Sequence, residues 1–190
     1  SDTTLQQPTE LAITATLVTD VSCFGMSDGS ADVEVSGGTP TYYFLWSNGN
    51  TTQDLQDIVI GDYFLTVTDV NGCSDSISVA INQPLQLQVD VQNPGAVCPG
   101  TEAIFSASAI GGNGNYSFAW SDGASGSIIH IFPQQADTLS VVVTDILGCS
   151  ATIVNIPVDV LPTPEAAFSL SQTQSCTYPV TVATTNNSSG

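Results

Sequence analysis

The stretch Tyr63-Phe64-Leu65-Thr66-Val67-Thr68-Asp69-Val70-Asn71-Gly72-Cys73-Ser74-Asp75-Ser76-Ile77-Ser78-Val79-Ala80-Ile81 decides the fold. Tyr63 to Val67 is apolar or β-branched, and Ser76 to Ile81 alternates polar or small residues with Ile and Val. Asp69-Val70-Asn71-Gly72 between them carries a turn signal, so the stretch reads as strand, turn, strand. The same grammar extends outward. Ala31-Asp32-Val33-Glu34-Val35 alternates apolar and acidic residues, Tyr42 to Trp46 is aromatic-rich, and Leu139 to Val143 is apolar. Ser27-Asp28-Gly29, Ser47-Asn48-Gly49 and Ser121-Asp122-Gly123 punctuate these runs as turns. Short strands at intervals of roughly 8–12 residues, with almost no helical periodicity, predict an all-β chain of tandem Ig-like Greek-key β-sandwich modules.

The decisive stretch also recurs. Val67-Thr68-Asp69 with Gly72-Cys73-Ser74 returns about 75 residues later as Val143-Thr144-Asp145 with Gly148-Cys149-Ser150. Gln7-Pro8 returns as Gln83-Pro84, Cys23 as Cys98, Gly37-Gly38 as Gly111-Gly112, and Trp46 as Trp120, in one order. This divides the chain into residues 1–9 (the tail of a preceding copy), modules at 10–84 and 85–162, and the start of a third at 163–190. Cys176 stands where a third copy places its first cysteine. The repeat is therefore expected to continue in both directions.

Composition narrows the function. Lys and Arg are absent, Asp and Glu number 18, and the formal charge is −18. A carboxylate has no Lys or Arg to pair with, so burial, hydrogen bonds and covalent staples must stabilise the fold. The charge repels phosphate backbones and anionic headgroups, which excludes nucleic acid as a partner. No apolar run reaches the ~20 residues of a membrane-spanning helix, so direct membrane insertion is not expected. The opening Ser-Asp-Thr-Thr lacks a charged region followed by an apolar one, so any targeting segment was removed or lies outside these residues.

Cys23 and Cys73 are spaced like Cys98 and Cys149, and each pair brackets a Trp. One disulfide within each module, packed against that indole, is the expectation. Each bond would stabilise its module by about 4 kcal/mol on the chain-entropy model. Zinc would want close Cys-x-x-Cys spacing or neighbouring His, and neither occurs. Disulfides place the chain in an oxidising, extracellular compartment.

Cys23-Phe24-Gly25 with Asp28-Gly29, Gly37-Gly38-Thr39-Pro40, Trp46-Ser47-Asn48-Gly49 and Val67 to Cys73 resemble the SprB-type repeat of Bacteroidota surface adhesins. Val97-Cys98-Pro99-Gly100 and Ser117 to Gly123 are more similar to the Ig-like and PKD-like modules found beside such repeats. Phe168, Cys176 and Asn186 to Gly190 resemble the opening of another PKD-like module. The resemblance implies very long bacterial cell-surface proteins, type IX export, and roles in adhesion, gliding or extracellular fibres.

Catalysis finds little foothold. His130, the single histidine, lies in the strand-like Ser127 to Phe132 without a nucleophile motif, and the acids are scattered over turns and strand faces. No catalytic residue and no cofactor are assigned. Asp69 and Asp145 are the calcium candidates, as hard oxygen donors at one turn position, although an Asx-turn explains them without a metal. Thr3, Ser76 and Thr138 follow an Asp and match the Bacteroidota O-glycosylation acceptor, so a glycoprotein is a further expectation. The expected role is a structural repeat segment of a surface adhesin or fibre. Its partners would be neighbouring modules or copies of itself. The alternative is a lectin-like module that binds surface polysaccharide through Tyr42 or Tyr116. Residues 163–190 hold two expected strands, Phe168–Leu170 and Val180–Val182, and need completion by following sequence or by a neighbouring chain. In the second case Thr3 to Leu17 would be a free strand able to add to a neighbour.

Overall fold

The computed structural model describes residues 7–163, 168–170 and 184–186, and these residues are all strand, turn or loop. They form two compact units. The first comprises Ser1–Gln88 with Ala109–Tyr116 and Thr144–Ala151, and the second comprises Val89–Ser108, Ser117–Val143 and Thr152–Gly190.

The first unit is built on a six-stranded sandwich. One sheet has the order β1 (Ala12–Thr19), β2 (Gly29–Ser36), β4 (Leu55–Ile58), and the other β3 (Tyr42–Trp46), β5 (Gly61–Asp69), β6 (Ser74–Ile81). The alternation seen in the sequence decides which face each strand buries. Ala31 and Val33 of β2 face Leu65 and Val67 of β5, with Trp46, Leu55 and Ile81 completing the core. Burying each Val, Leu or Ile side chain of this set contributes about 1.5–3 kcal/mol. β1 pairs with β2 along its length, with one irregularity between Ala15 and Leu17. Residues 12–17 are therefore committed to this sandwich, which corrects the expectation of a free strand running to Leu17.

The remaining strands repeat the pattern. β7 (Gln88–Gln92), β8 (Ala103–Ile110) and β10 (Ile128–Ile131) form one sheet, and β9 (Ser117–Trp120), β11 (Asp137–Thr144) and β12 (Ser150–Val158) the other. Ala103, Phe105, Trp120, Leu139, Val141 and Val143 are buried. Phe105 meets Trp120 edge-on at 6.5 Å between ring centroids. β13 (Phe168–Leu170) pairs antiparallel with β14 (Thr184–Asn186). Val180–Val182 lie outside the described residues.

The disulfide pattern differs from expectation. Cys23 bonds Cys149, with Cα atoms 5.6 Å apart, and Cys73 and Cys98 are exposed and unbonded. The two cysteines of the first repeat sit at opposite ends of their sandwich. Val21 N–H donates to the Asn82 carbonyl (2.9 Å) and Gly25 N–H to Gln83 Oε1 (2.9 Å), which places the Cys23 loop beyond the far end of β6. Cys73 immediately precedes β6. At about 3.4 Å per residue the eight-residue strand separates them by roughly 25 Å, far beyond the reach of a disulfide. Trp46 and Trp120 accordingly pack in the cores away from the disulfide, and each indole N–H donates to a local carbonyl, that of Thr52 (3.0 Å) and Gly126 (2.9 Å).

Candidate functional site

The features that set this chain apart from a plain pair of sandwiches are two clefts built on the same turn. In the first repeat Asp69 ends β5 and its carboxylate turns back into the chain. Oδ1 accepts the N–H groups of Asn71 (2.9 Å) and Cys73 (2.9 Å), and Oδ2 accepts that of Thr39 (2.8 Å). Asp145 does the same in the second repeat, accepting from Leu147 (2.9 Å), Cys149 (3.0 Å) and Asn113 (2.7 Å). Backbone bonds close both turns identically: Asp69 N–H to the Cys73 carbonyl (2.8 Å), and Asp145 N–H to that of Cys149 (2.9 Å).

Glycine is required where the chain meets this turn. A Cβ on Gly37 would lie 1.8 Å from the Glu10 carbonyl oxygen, and one on Gly111 would lie 2.2 Å from that of Gln86. Both residues have positive φ, +71° and +80°. The paired glycines of the repeat thus let the connectors Gln7–Leu11 and Gln83–Leu87 run tightly past the turn. Tyr42 and Tyr116 seal the same corner, their hydroxyls donating to the Gly37 and Gly111 carbonyls at 2.6 Å. These are the two aromatics singled out for saccharide binding, and both are half-buried with their polar ends engaged.

Both aspartates are buried, at 2% and 6% exposure. At Asp69 the Thr39 N–H is the leading influence. With those of Cys73 and Asn71 it holds the carboxyl below the usual carboxylate range against the opposing effect of burial. At Asp145 burial is the largest influence and acts upward, but the Asn113 backbone and side-chain amides with Cys149 and Leu147 outweigh it, and the net displacement is downward. Among the described residues no group of three or more His, Cys, Asp or Glu is placed to hold a metal ion. The oxygens of these calcium candidates are occupied by N–H donors.

A folded-state value below the unfolded one, near 3.9, gives stability that is complete above the unfolded pKa and is lost as pH falls through the folded one. Thermal melts by circular dichroism should therefore hold a plateau above about pH 5 and decline below about pH 4. Asp145→Asn should lower the plateau and flatten the acid limb. An unchanged acid limb in that variant would remove Asp145 from this role.

The two clefts differ in what borders them. The cleft at Cys149 is walled by Leu85, Leu87 and Gly112 together with the loop bearing Cys23, Phe24 and Met26. The Asn113 side-chain amide donates to the Ser22 carbonyl at 2.9 Å beside the bond. Asp28 fixes the base of this loop by accepting the Ser22 N–H (3.0 Å), and Ser22 holds its carboxyl below the ordinary range. The cleft at Cys73 is walled by the corresponding residues Thr9, Leu11 and Gly38, with Pro8 and Asp69 beside them. Sequence reasoning passed over Ser22, Asn113 and Met26. The signal for them was that Cys23 and Cys149 fall at the two different cysteine positions of the repeat.

The other candidate residues stand apart from the clefts' chemistry. Ser76 and Thr138 are exposed, and the backbone N–H of each donates to the preceding carboxylate, Asp75 Oδ1 (2.8 Å) or Asp137 Oδ1 (2.7 Å). Thr3 lies outside the described residues. His130 is exposed, its Nδ1 2.8 Å from Glu102 Oε1.

Residues 15–51 match the SprB repeat family model, so the first repeat is of SprB type. No curated protein matches the chain. Similar solved structures include the N-terminal eight Ig domains of Down Syndrome Cell Adhesion Molecule, at 18% identity and TM-score 0.36, covering 78% of this chain and 26% of that one. The fibronectin(III)-like modules of Clostridium thermocellum CbhA show 14% identity and TM-score 0.36, covering 78% and 94%. Murine CEACAM1b shows 15% identity and TM-score 0.31, covering 80% and 100%.

Proposed function

We propose that this segment is a covalently reinforced, non-catalytic spacer in a long bacterial surface adhesin or gliding-type filament. It works in an oxidising extracellular space after type IX export. The SprB-type repeat supports a structural role in a surface protein. The observation that carries the reading further is the Cys23–Cys149 bond, which joins the opening cysteine of one repeat to the closing cysteine of the next across 126 residues. Tension applied at the chain ends passes through this bond, so the strands between the two cysteines are shielded from it. Asp69 and Asp145 serve here as turn anchors, and the spacer requires no cofactor. Its partners are neighbouring modules of the same kind.

Single-molecule pulling of residues 1–190 tests the idea. The oxidised chain should extend only through residues outside the bonded loop. Addition of reductant should release about 450 Å more contour length, at about 3.6 Å per residue. Cys149→Ser should show the longer contour without reductant. Equal contour lengths before and after reduction would overturn the proposal.

A further inference from the structure

The described residues carry a second, unused set of the parts that make the Cys23–Cys149 bond. Cys98 occupies the repeat position of Cys23, and Cys73 that of Cys149. The loops agree in detail. Met26 N–H donates to the Cys23 carbonyl at 3.1 Å and Thr101 N–H to that of Cys98 at 3.1 Å, with Gly25 and Gly100 at φ +78° and +72°. The closing turns agree equally, since Asp69 holds Cys73 as Asp145 holds Cys149. The same two repeat positions are bonded to each other in one instance and exposed as thiols in the other. Moreover, the cleft bordered by the Cys23 loop has a counterpart at Cys73, where Thr9, Leu11, Gly38 and Ser74 stand at the repeat positions of Leu85, Leu87, Gly112 and Ser150.

We infer that the Cys73 cleft is a docking and disulfide-forming site for the opening-loop cysteine of another copy of this repeat. Between two molecules of this chain, the occupant is Cys98 of the second molecule. The polarity is set by the formed bond. Its opening loop lies beside Asn82 and Gln83, where its own repeat passes into the connector, and it reaches the closing turn that the connector leads to. The loop that fills the Cys73 cleft therefore belongs to whatever repeat unit lies ahead of the Gln7–Leu11 connector. Cys98 in turn serves the unit that follows. One opening and one closing cysteine per molecule make a heterologous, head-to-tail contact, which propagates in one dimension instead of closing into a dimer.

The chemistry needs an oxidant, here a low-molecular-weight disulfide such as oxidised glutathione. The Cys98 thiolate attacks one of its sulfurs, forming a mixed disulfide and releasing one glutathione thiolate. The Cys73 thiolate of the second molecule then attacks the Cys98 sulfur and expels the second. Two protein thiols lose two electrons, and one glutathione disulfide gains them as two thiols.

The inference extends the spacer reading and fails separately from it. Two variants are made in a Cys176→Ser background, one with Cys73→Ser and one with Cys98→Ser. They are incubated with oxidised glutathione at moderate salt, to screen the like charges of the two molecules, and free thiols are then alkylated. Each variant alone should stay monomeric on non-reducing gels. Their equimolar mixture should give a dimer whose peptides, cut by a protease other than trypsin, show Cys73 joined to Cys98. A dimer from either variant alone, or none from the mixture while Cys23–Cys149 maps intact, overturns the inference. It is equally overturned if Cys73 maps to Cys23, or Cys98 to Cys149. Loss of the mixed dimer with Cys23–Cys149 intact leaves the spacer reading standing.

Discussion

Cys149→Ser is expected to lower the unfolding free energy by about 5 kcal/mol, the chain-entropy value for a loop of 126 residues. That is a large part of the 5–15 kcal/mol typical of a folded domain. The effect has two sources. The unfolded chain regains the freedom that the bond removed, and the Cys23 loop loses its covalent hold in the cleft beside Asn113. Cys23→Ser should match it, and the double variant should cost no more than either single one, because all three remove one bond. Cys73→Ser and Cys98→Ser remove exposed thiols and should stay within about 0.5 kcal/mol of the parent. Urea unfolding without reductant, followed by circular dichroism, gives the midpoints of the five variants and the parent. Bonds within each repeat would make all four single variants equally damaging, so the pattern matters as much as the size.

Much of this molecule is written in its local sequence. The alternation of Ala31 to Val35 and the run Tyr42 to Trp46 fall within β2 and on β3, because a two-residue period is a property of the strand itself. The Asp69 turn was equally legible, since Asp-x-Asn-Gly states its own hydrogen bonds. The cysteine pairing was not, and the reason is one of direction. Six strands that simply alternated would bring the β1–β2 loop and the β5–β6 turn to the same end of the sandwich. Here β3 starts beside Asp69, where β2 ends, and runs opposite to β2; β4 also pairs antiparallel with β2. Two successive strands therefore run the same way, and the count slips by one. The chain achieves this by crossing between the sheets through Ser47 to Asp54, a stretch with no periodicity to announce it. Equal spacing of Cys23–Cys73 and Cys98–Cys149 was a true sign of the repeat and a false sign of the bond.

That crossing is where the second large effect is expected. Trp46 is 1% exposed, at the point where β3 leaves its sheet. It grips the crossing three ways: its ring fills the core, its indole N–H donates to the Thr52 carbonyl, and its backbone N–H donates to that of Asn50 (2.9 Å). Farther along, Asp54 Oδ1 accepts the Val33 N–H (2.9 Å) and Gln53 donates to the Val33 carbonyl (2.6 Å), tying the segment to the opposite sheet. Trp46→Ala removes the ring and the side-chain hydrogen bond together and should cost about 3–5 kcal/mol, the usual range for a buried aromatic. Trp46→Phe keeps most of the packing and forfeits the indole hydrogen bond, so about 1–2 kcal/mol is expected. Urea unfolding followed by far-ultraviolet circular dichroism, with the disulfide intact, separates the two. A small loss in the alanine variant would mean that the crossing stands without its anchor. The stake is larger than one side chain's packing. This crossing sends the opening and closing cysteines of a repeat to opposite ends, and only in that arrangement can each reach a neighbouring repeat instead of the other.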